Sequence, residues 1–79
     1  MTSQTSPLVM DLKGLLCPMP VVKLAMAIKS IPVGETIEAY ATDPGVMADI
    51  PAWCRTTGNE LVTLEKLEKQ FHFVVRRVK

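Results

Sequence analysis

The chain has 79 residues, enough for one small domain, and 48% are hydrophobic against 5% aromatic, which fits a core built from Val, Leu, Ile, Ala and Met. A net charge of +1 argues against a strongly electrostatic nucleic-acid binder, which would carry a basic stripe, and the one basic run is Arg76-Arg77-Val78-Lys79 at the end. Two cysteines are too few for a disulfide-stapled secreted scaffold, no secretory leader opens the chain, and no apolar stretch is long enough to span a membrane, so a soluble cytoplasmic protein is expected.

Met1 to Pro7 is polar and uncharged and reads as a frayed terminus of a single domain covering residues 1–79. Leu8 to Leu12 is a short strand, ended by Lys13-Gly14, where glycine allows a turn. A helix is expected over residues 18–30. Val21, Leu24, Ala25, Ile28 and Ile31 fall at helical spacing on its buried side, Val22 and Met26 flank them, and Met26 reads as core filler. Pro32 stops this helix and Pro32-Val33-Gly34-Glu35 turns the chain.

Thr36 to Thr42 alternates as a half-buried strand, with Ile37, Ala39 and Ala41 on one side and Thr36, Glu38, Tyr40 and Thr42 on the other. Asp43-Pro44-Gly45 makes a turn. Pro51 interrupts the next helical stretch, so a short turn and then a helix from about Pro51 are expected, with Asp49 the better cap. Ile50, Trp53, Cys54 and Thr57 share a face, and Gly58 suits the position just past the helix end. Glu60 to Leu67 and Phe71 to Val78 read as strands of a hairpin turning at Glu68-Lys69, with Phe71, Phe73 and Val75 on one side. The order β-α-β-α-β-β implies an α/β two-layer sandwich, with two helices on one face of a four-stranded mixed sheet.

The chemistry concentrates where the first strand meets the first helix, at Leu15-Leu16-Cys17-Pro18-Met19-Pro20. With Cys17 as helix cap, Pro18 and Pro20 occupy first-turn positions that have no intrahelical bond to lose. The positive end of the helix dipole favours a thiolate at Cys17, and Lys13 and Lys23 are candidates to add positive potential. The competing reading is a buried, inert cysteine. Trp53 serves as a core anchor or, more sharply, as a docking residue. Cys54 is either structural or a resolving thiol for Cys17, and the latter needs a Cα separation of about 4.4–6.8 Å.

Other chemistries lack their residues. Cys17 and Cys54 form no CxxC pair, and His72 is the single histidine, so neither a structural zinc site nor a cysteine-histidine nucleophile has support. The four glycines are separate turn residues with no phosphate loop among them, so no metal or cofactor is expected.

The seam Asp11-Leu12-Lys13-Gly14-Leu15-Leu16-Cys17-Pro18-Met19-Pro20 resembles the Cys-Pro-x-Pro signature of the TusA-like, or SirA-like, sulfur-carrier family. Ala41-Thr42-Asp43-Pro44-Gly45, then Asp49-Ile50-Pro51-Ala52-Trp53-Cys54 and Thr57-Gly58-Asn59-Glu60-Leu61, match its later signatures in order. The resemblance runs from about Val9 to Lys79. It implies two helices on a four-stranded sheet and a persulfide carried on Cys17, a relay component more than a stand-alone enzyme. It also implies a cysteine desulfurase or rhodanese-like donor and a downstream acceptor protein, in transfer-RNA thiolation, molybdenum-cofactor metabolism or sulfur oxidation. Many relatives have histidine where this chain has Asn59, and only some carry a cysteine at position 54.

On this reading Lys13, Lys23, Arg76 and Arg77 bias docking towards acidic partner surfaces. Direct DNA binding and membrane attachment are not expected, while a weak homodimer through a sheet edge is a candidate. The rivals are a thiol redox protein using Cys17 and Cys54, a regulatory binding module with a merely structural Cys17 and, weaker still because the basic footprint is small, direct transfer-RNA binding.

Overall fold

A computed structural model describes residues 8–79, so the expected fraying of Met1 to Pro7 lies outside the described part. The elements are β1 (Leu8–Leu12), α1 (Met19–Ala27), β2 (Thr36–Ala41), α2 (Val46–Thr57), β3 (Glu60–Lys66) and β4 (Phe71–Arg76). They form one sheet in the order β1-β2-β4-β3. β1 and β2 are parallel, with Leu12 opposite Ala41, and the other two pairings are antiparallel. The expected β-α-β-α-β-β mixed sheet with two helices is what forms.

Alternation decides which face is covered. Ile37, Ala39 and Ala41 of β2 and Phe71, Phe73 and Val75 of β4 are buried, and they cluster with Leu24 and Ile28 after β1 and with Val46, Ile50 and Cys54 of α2. Small alanines on β2 leave room for large neighbours, and Phe73 sits directly across from Ala39. β3 must solve a phase problem, because Leu61 and Leu64 are three apart and would point to opposite faces of a regular strand. A bulge between Leu61 and Thr63 inserts Val62 as an extra residue, so Leu61 faces Val75 and Leu64 faces Phe73.

Several boundaries move. α1 begins at Met19 with Pro18 as its cap, one residue later than expected, so Cys17 stands just outside the helix. After Ala27 the chain tightens into a single 3₁₀ turn, Ile28–Ser30, and Ile31 is extended because the following Pro32 disfavours helical backbone. Met26 is 66% exposed and fills no core space, contrary to expectation. Strands β2, β3 and β4 stop at Ala41, Lys66 and Arg76, short of Thr42, Leu67 and Val78. The hairpin connection spans Leu67 to Gln70, closed by the Leu67 N–H bonding Gln70 O at 2.8 Å, since Glu68-Lys69 lacks the residues of a two-residue turn.

The largest correction concerns α2, which runs unbroken through Pro51. Its first bonds are i to i−3, from Val46 to Asp43 O, Met47 to Pro44 O and Ala48 to Gly45 O, so the helical turn is already formed ahead of Val46. Pro51 removes one interior hydrogen bond. Val46, Ile50 and Cys54, spaced by four and all buried, hold the helix against the sheet regardless. Asp49 is therefore inside the first part of the helix and caps nothing.

The two ends of the sheet differ. At one end lie the Lys13–Pro18 stretch, the Thr42–Gly45 turn and the β3–β4 connection. At the other, about 17–20 Å away along a six-residue strand such as β2, lie Leu8, the turn after α1 and the chain end. Arg77 ties that far end together: its amide donates to Glu35 O at 2.9 Å and its guanidinium to Ile31 O at 2.7 Å. Asn59 does likewise, accepting the Val78 N–H at 2.9 Å and donating to Thr57 Oγ1 at 3.0 Å.

His72 is clamped on the helix-free face. Its Nε2 lies 2.7 Å from Glu38 Oε2 and its Nδ1 2.8 Å from Glu65 Oε2, with Tyr40 packed 4.8 Å away between ring centroids. Burial disfavours the imidazolium, but the two carboxylates outweigh it and the His72 pKa is raised. A raised folded-state value contributes stability below the ordinary histidine pKa and loses it as pH rises through the raised one. His72→Gln is therefore expected to lose about 1 kcal/mol near pH 5.5 and much less near pH 9, read by urea unfolding at both. A deficit that does not narrow with pH would contradict this account.

Candidate functional site

Cys17 lies outside the carboxyl ends of the parallel pair β1 and β2, the crevice where open α/β sheets place their chemistry. Two loops build the spot. Gly14 adopts φ +85°, a left-handed conformation that glycine alone enters freely, and its amide then donates to Thr42 Oγ1 at 2.9 Å. The Cys17 amide donates to Asp43 Oδ2 at 2.6 Å. The other oxygen of Asp43 accepts the Gly45 N–H at 3.3 Å, so this one carboxylate joins both loops through their backbones. Gly45 lies close to the site: a Cβ there would crowd Asp43 Oδ2 at 3.3 Å and touch Cys17 Cβ at 3.5 Å. The Cys17–Pro18 peptide is cis.

The Cys17 thiol is exposed and free, and it donates to Asp49 Oδ2 at 2.8 Å. The Cys17 pKa is raised above the ordinary thiol range by the hydrogen bond to Asp49, then by desolvation and by the negative charges of Asp49 and Asp43. This reverses the expectation of a favoured thiolate. The helix start is short of donors for an anion: Pro18 and Pro20 have no N–H, the Met19 N–H is taken by Leu16 O at 2.8 Å and the Val22 N–H by Pro18 O at 3.1 Å, which leaves Val21. Carboxylates supply the remaining field. Lys13 leans back to Asp11 at 3.8 Å, and Lys23 is exposed on α1.

The other expected residues are dispersed. Pro18 is exposed and Pro20 is buried beneath the seam. Trp53 is half-buried against the core, and Cys54 is 4% exposed with its thiol pKa raised by burial. Arg76 bonds Glu60 at 3.2 Å and Arg77 is used in the tail contacts, both at the end of the sheet away from Cys17. Beside Cys17 in the chain, Leu16 is 73% exposed and Met19 is exposed as well, and Met47 is exposed near the start of α2. Val22 and Met26 continue this surface along α1 at three- and four-residue spacing.

Sequence reasoning missed Asp43 and Asp49 as site residues. The usable signal was the Asp43-Pro44-Gly45 turn, whose position at the end of a strand parallel to β1 brings it beside the seam. Among the described residues no cavity opens, and no three histidine, cysteine or acidic side chains converge as a metal-binding group. No helix of the described residues is long and apolar enough to cross a membrane.

Comparison with known proteins matches residues 9–77 to the family described as sulfurtransferase TusA. The chain is 47% identical over 58 residues to YrkF of Bacillus subtilis, covering 73% of this chain but 31% of that longer protein. It is 32% identical over 68 residues to the sulfur carrier protein TusA of Allochromatium vinosum, covering 86% of this chain and 90% of that one. It is also 36% identical over 75 residues to the sulfur carrier protein TusA of Pseudomonas syringae pv. tomato, covering 95% and 89% respectively.

Proposed function

The chain belongs to the TusA family of sulfur carriers, and on that premise we propose that Cys17 accepts sulfane sulfur as a persulfide and passes it to an acceptor protein. The observation that carries this reading is the exposed, free Cys17 thiol on a backbone fixed to Asp43. Sulfur exchange between two proteins requires a sulfur that protrudes and a surface that docks, and it requires no enclosing pocket. The exposed Leu16, Met19 and Met47 supply an apolar surface of the kind that partner proteins cover. The donor in this reading is a cysteine desulfurase or a rhodanese-like protein. The acceptor belongs to transfer-RNA thiolation, molybdenum-cofactor metabolism or sulfur oxidation.

The redox-pair alternative is poorly served by the placement of Cys54. Cys17 packs beside Gly45, and Cys54 lies nine residues along α2, about 13 Å by helical rise, where a disulfide needs about 4.4–6.8 Å between Cα atoms.

The test is to expose the protein to a persulfide donor and map the product by proteolysis after lysine and arginine. That cleavage separates the peptide from Gly14 to Lys23, holding Cys17, from the one holding Cys54. A reducible gain of about 32 Da confined to the Cys17 peptide is the expected result. No gain from either a protein or a small-molecule persulfide donor would overturn the proposal.

A further inference from the structure

The two carboxylates at the seam are used differently. Both oxygens of Asp43 are occupied by backbone amides, those of Cys17 and Gly45. Asp49 instead meets the sulfur itself, 2.8 Å from Cys17 Sγ. It is also firmly placed: it lies on α2 next to Ile50 and three residues past Val46, both fully buried, so the helix cannot rotate Asp49 away without unpacking its core face. Among the described residues the thiol proton has one hydrogen-bond acceptor, Asp49 Oδ2. The charged groups acting on Cys17 are Asp49 from α2 and Asp43 from the β2–α2 turn, Lys13 on the seam itself is drawn to Asp11, and the near residues of α1, from Met19 to Val22, are uncharged.

We propose that Asp49 is the proton acceptor for Cys17 during sulfur transfer, an inference that rests on the carrier reading of Cys17. A donor persulfide R–S–SH approaches with its outer sulfur towards Sγ. The Cys17 S–H bond breaks and its proton moves to Asp49 Oδ2, while Sγ bonds to the outer sulfur. The R–S to outer-sulfur bond breaks, and its electron pair leaves on the donor as R–S⁻. The Asp49 carboxylic acid then returns the proton to R–S⁻. The products are Cys17–S–SH and R–SH, and one thiol has exchanged with one persulfide without net oxidation or reduction. The same carboxylate serves the reverse direction when the carrier unloads.

This arrangement separates two properties that usually rise together. The thiol stays protonated and slow towards small electrophiles in the free protein, yet it can shed its proton within the hydrogen bond once a persulfide is in place. Asp49→Asn keeps the shape and removes the base.

The experiment measures single-turnover sulfur acceptance from glutathione persulfide for the wild type, Asp49→Asn and Asp49→Glu, by intact mass, between about pH 6 and pH 9. Iodoacetamide alkylation of Cys17 is followed in parallel. The rate ratio of Asp49→Asn to wild type cancels the titration of the donor. The expected ratio is about one-tenth or lower near pH 6, climbing with pH as the variant comes to depend on free thiolate, with Asp49→Glu recovering part of the loss. Alkylation of Asp49→Asn is expected to shift to lower pH, which identifies a native-like seam that has lost its carboxylate. A ratio at or above one near pH 6 would overturn the proposal and leave Asp49 as a restraint on the thiol. A wild type that gains no sulfur at any pH would instead bring down the carrier reading itself, a result distinct from a loaded wild type with an equally fast Asp49→Asn.

Discussion

Cys17→Ser is expected to gain no sulfur at all under conditions that load the wild type, while Cys54→Ala loads as the wild type does. Serine oxygen cannot form a persulfide, and no other exposed cysteine exists to take one, because Cys54 is buried among Val46, Ile50 and the sheet. The substitution is mild for the fold. The structural tie at this position runs from the backbone amide to Asp43, which serine retains, and the exposed side chain contributes no core area. Loss of loading in Cys17→Ser can therefore be read as chemistry once its circular dichroism and unfolding midpoint match the wild type. Intact mass decides the matter. A loss of about 2 Da that requires both cysteines, in place of a gain of one sulfur, would sink the carrier reading in favour of a disulfide-forming pair.

Phe73→Ala is expected to remove about 3–5 kcal/mol, against a total stability of roughly 4–12 kcal/mol for a chain of this length. Phe73 is fully buried on β4, one of the two central strands, with Ala39 on one side and Leu64 on the other. Alanine cannot fill the space, and both pairing neighbours are locked in register, so the void cannot close by sliding a strand. The urea midpoint should fall by about a quarter or more, or the variant should be unfolded without denaturant. Val62→Ala is the matched comparison. It removes an aliphatic group from the exposed bulge of β3 and should stay within about 0.5 kcal/mol of the wild type. Equal losses in the two variants would mean that the core is not centred on Phe73.

The parts of the fold legible in the sequence are those governed by short-range repetition. Ile37, Ala39 and Ala41 announce a strand with one covered face, and Leu24 and Ile28 announce the buried side of a helix. Pro51 misled because a local rule about prolines was applied to a segment whose anchoring is tertiary, through Val46, Ile50 and Cys54 against the sheet. The bulge at Val62 was hidden for a similar reason, since only pairing with β4 reveals that Leu61 and Leu64 must share a face.

At the site, Cys17 was legible from its own neighbours, and its chemistry was not. The groups that set its proton affinity, Asp43 and Asp49, arrive from 26 and 32 residues away along the chain. A helix start crossed by Pro18 and Pro20 looked like a stabiliser of anions when judged by position alone. It is depleted in donors, because those same prolines carry no amide hydrogen.

The described chain begins at Leu8 and ends at Lys79 on the side of the sheet remote from Cys17. Anything joined after Lys79, whether an affinity handle, a bead or a second folded module in a longer polypeptide, starts about the length of a strand from the thiol. The carrier can thus be tethered by its back while its sulfur faces outward. A handle inserted at Leu67–Gln70, by contrast, would stand at the same end of the sheet as Cys17.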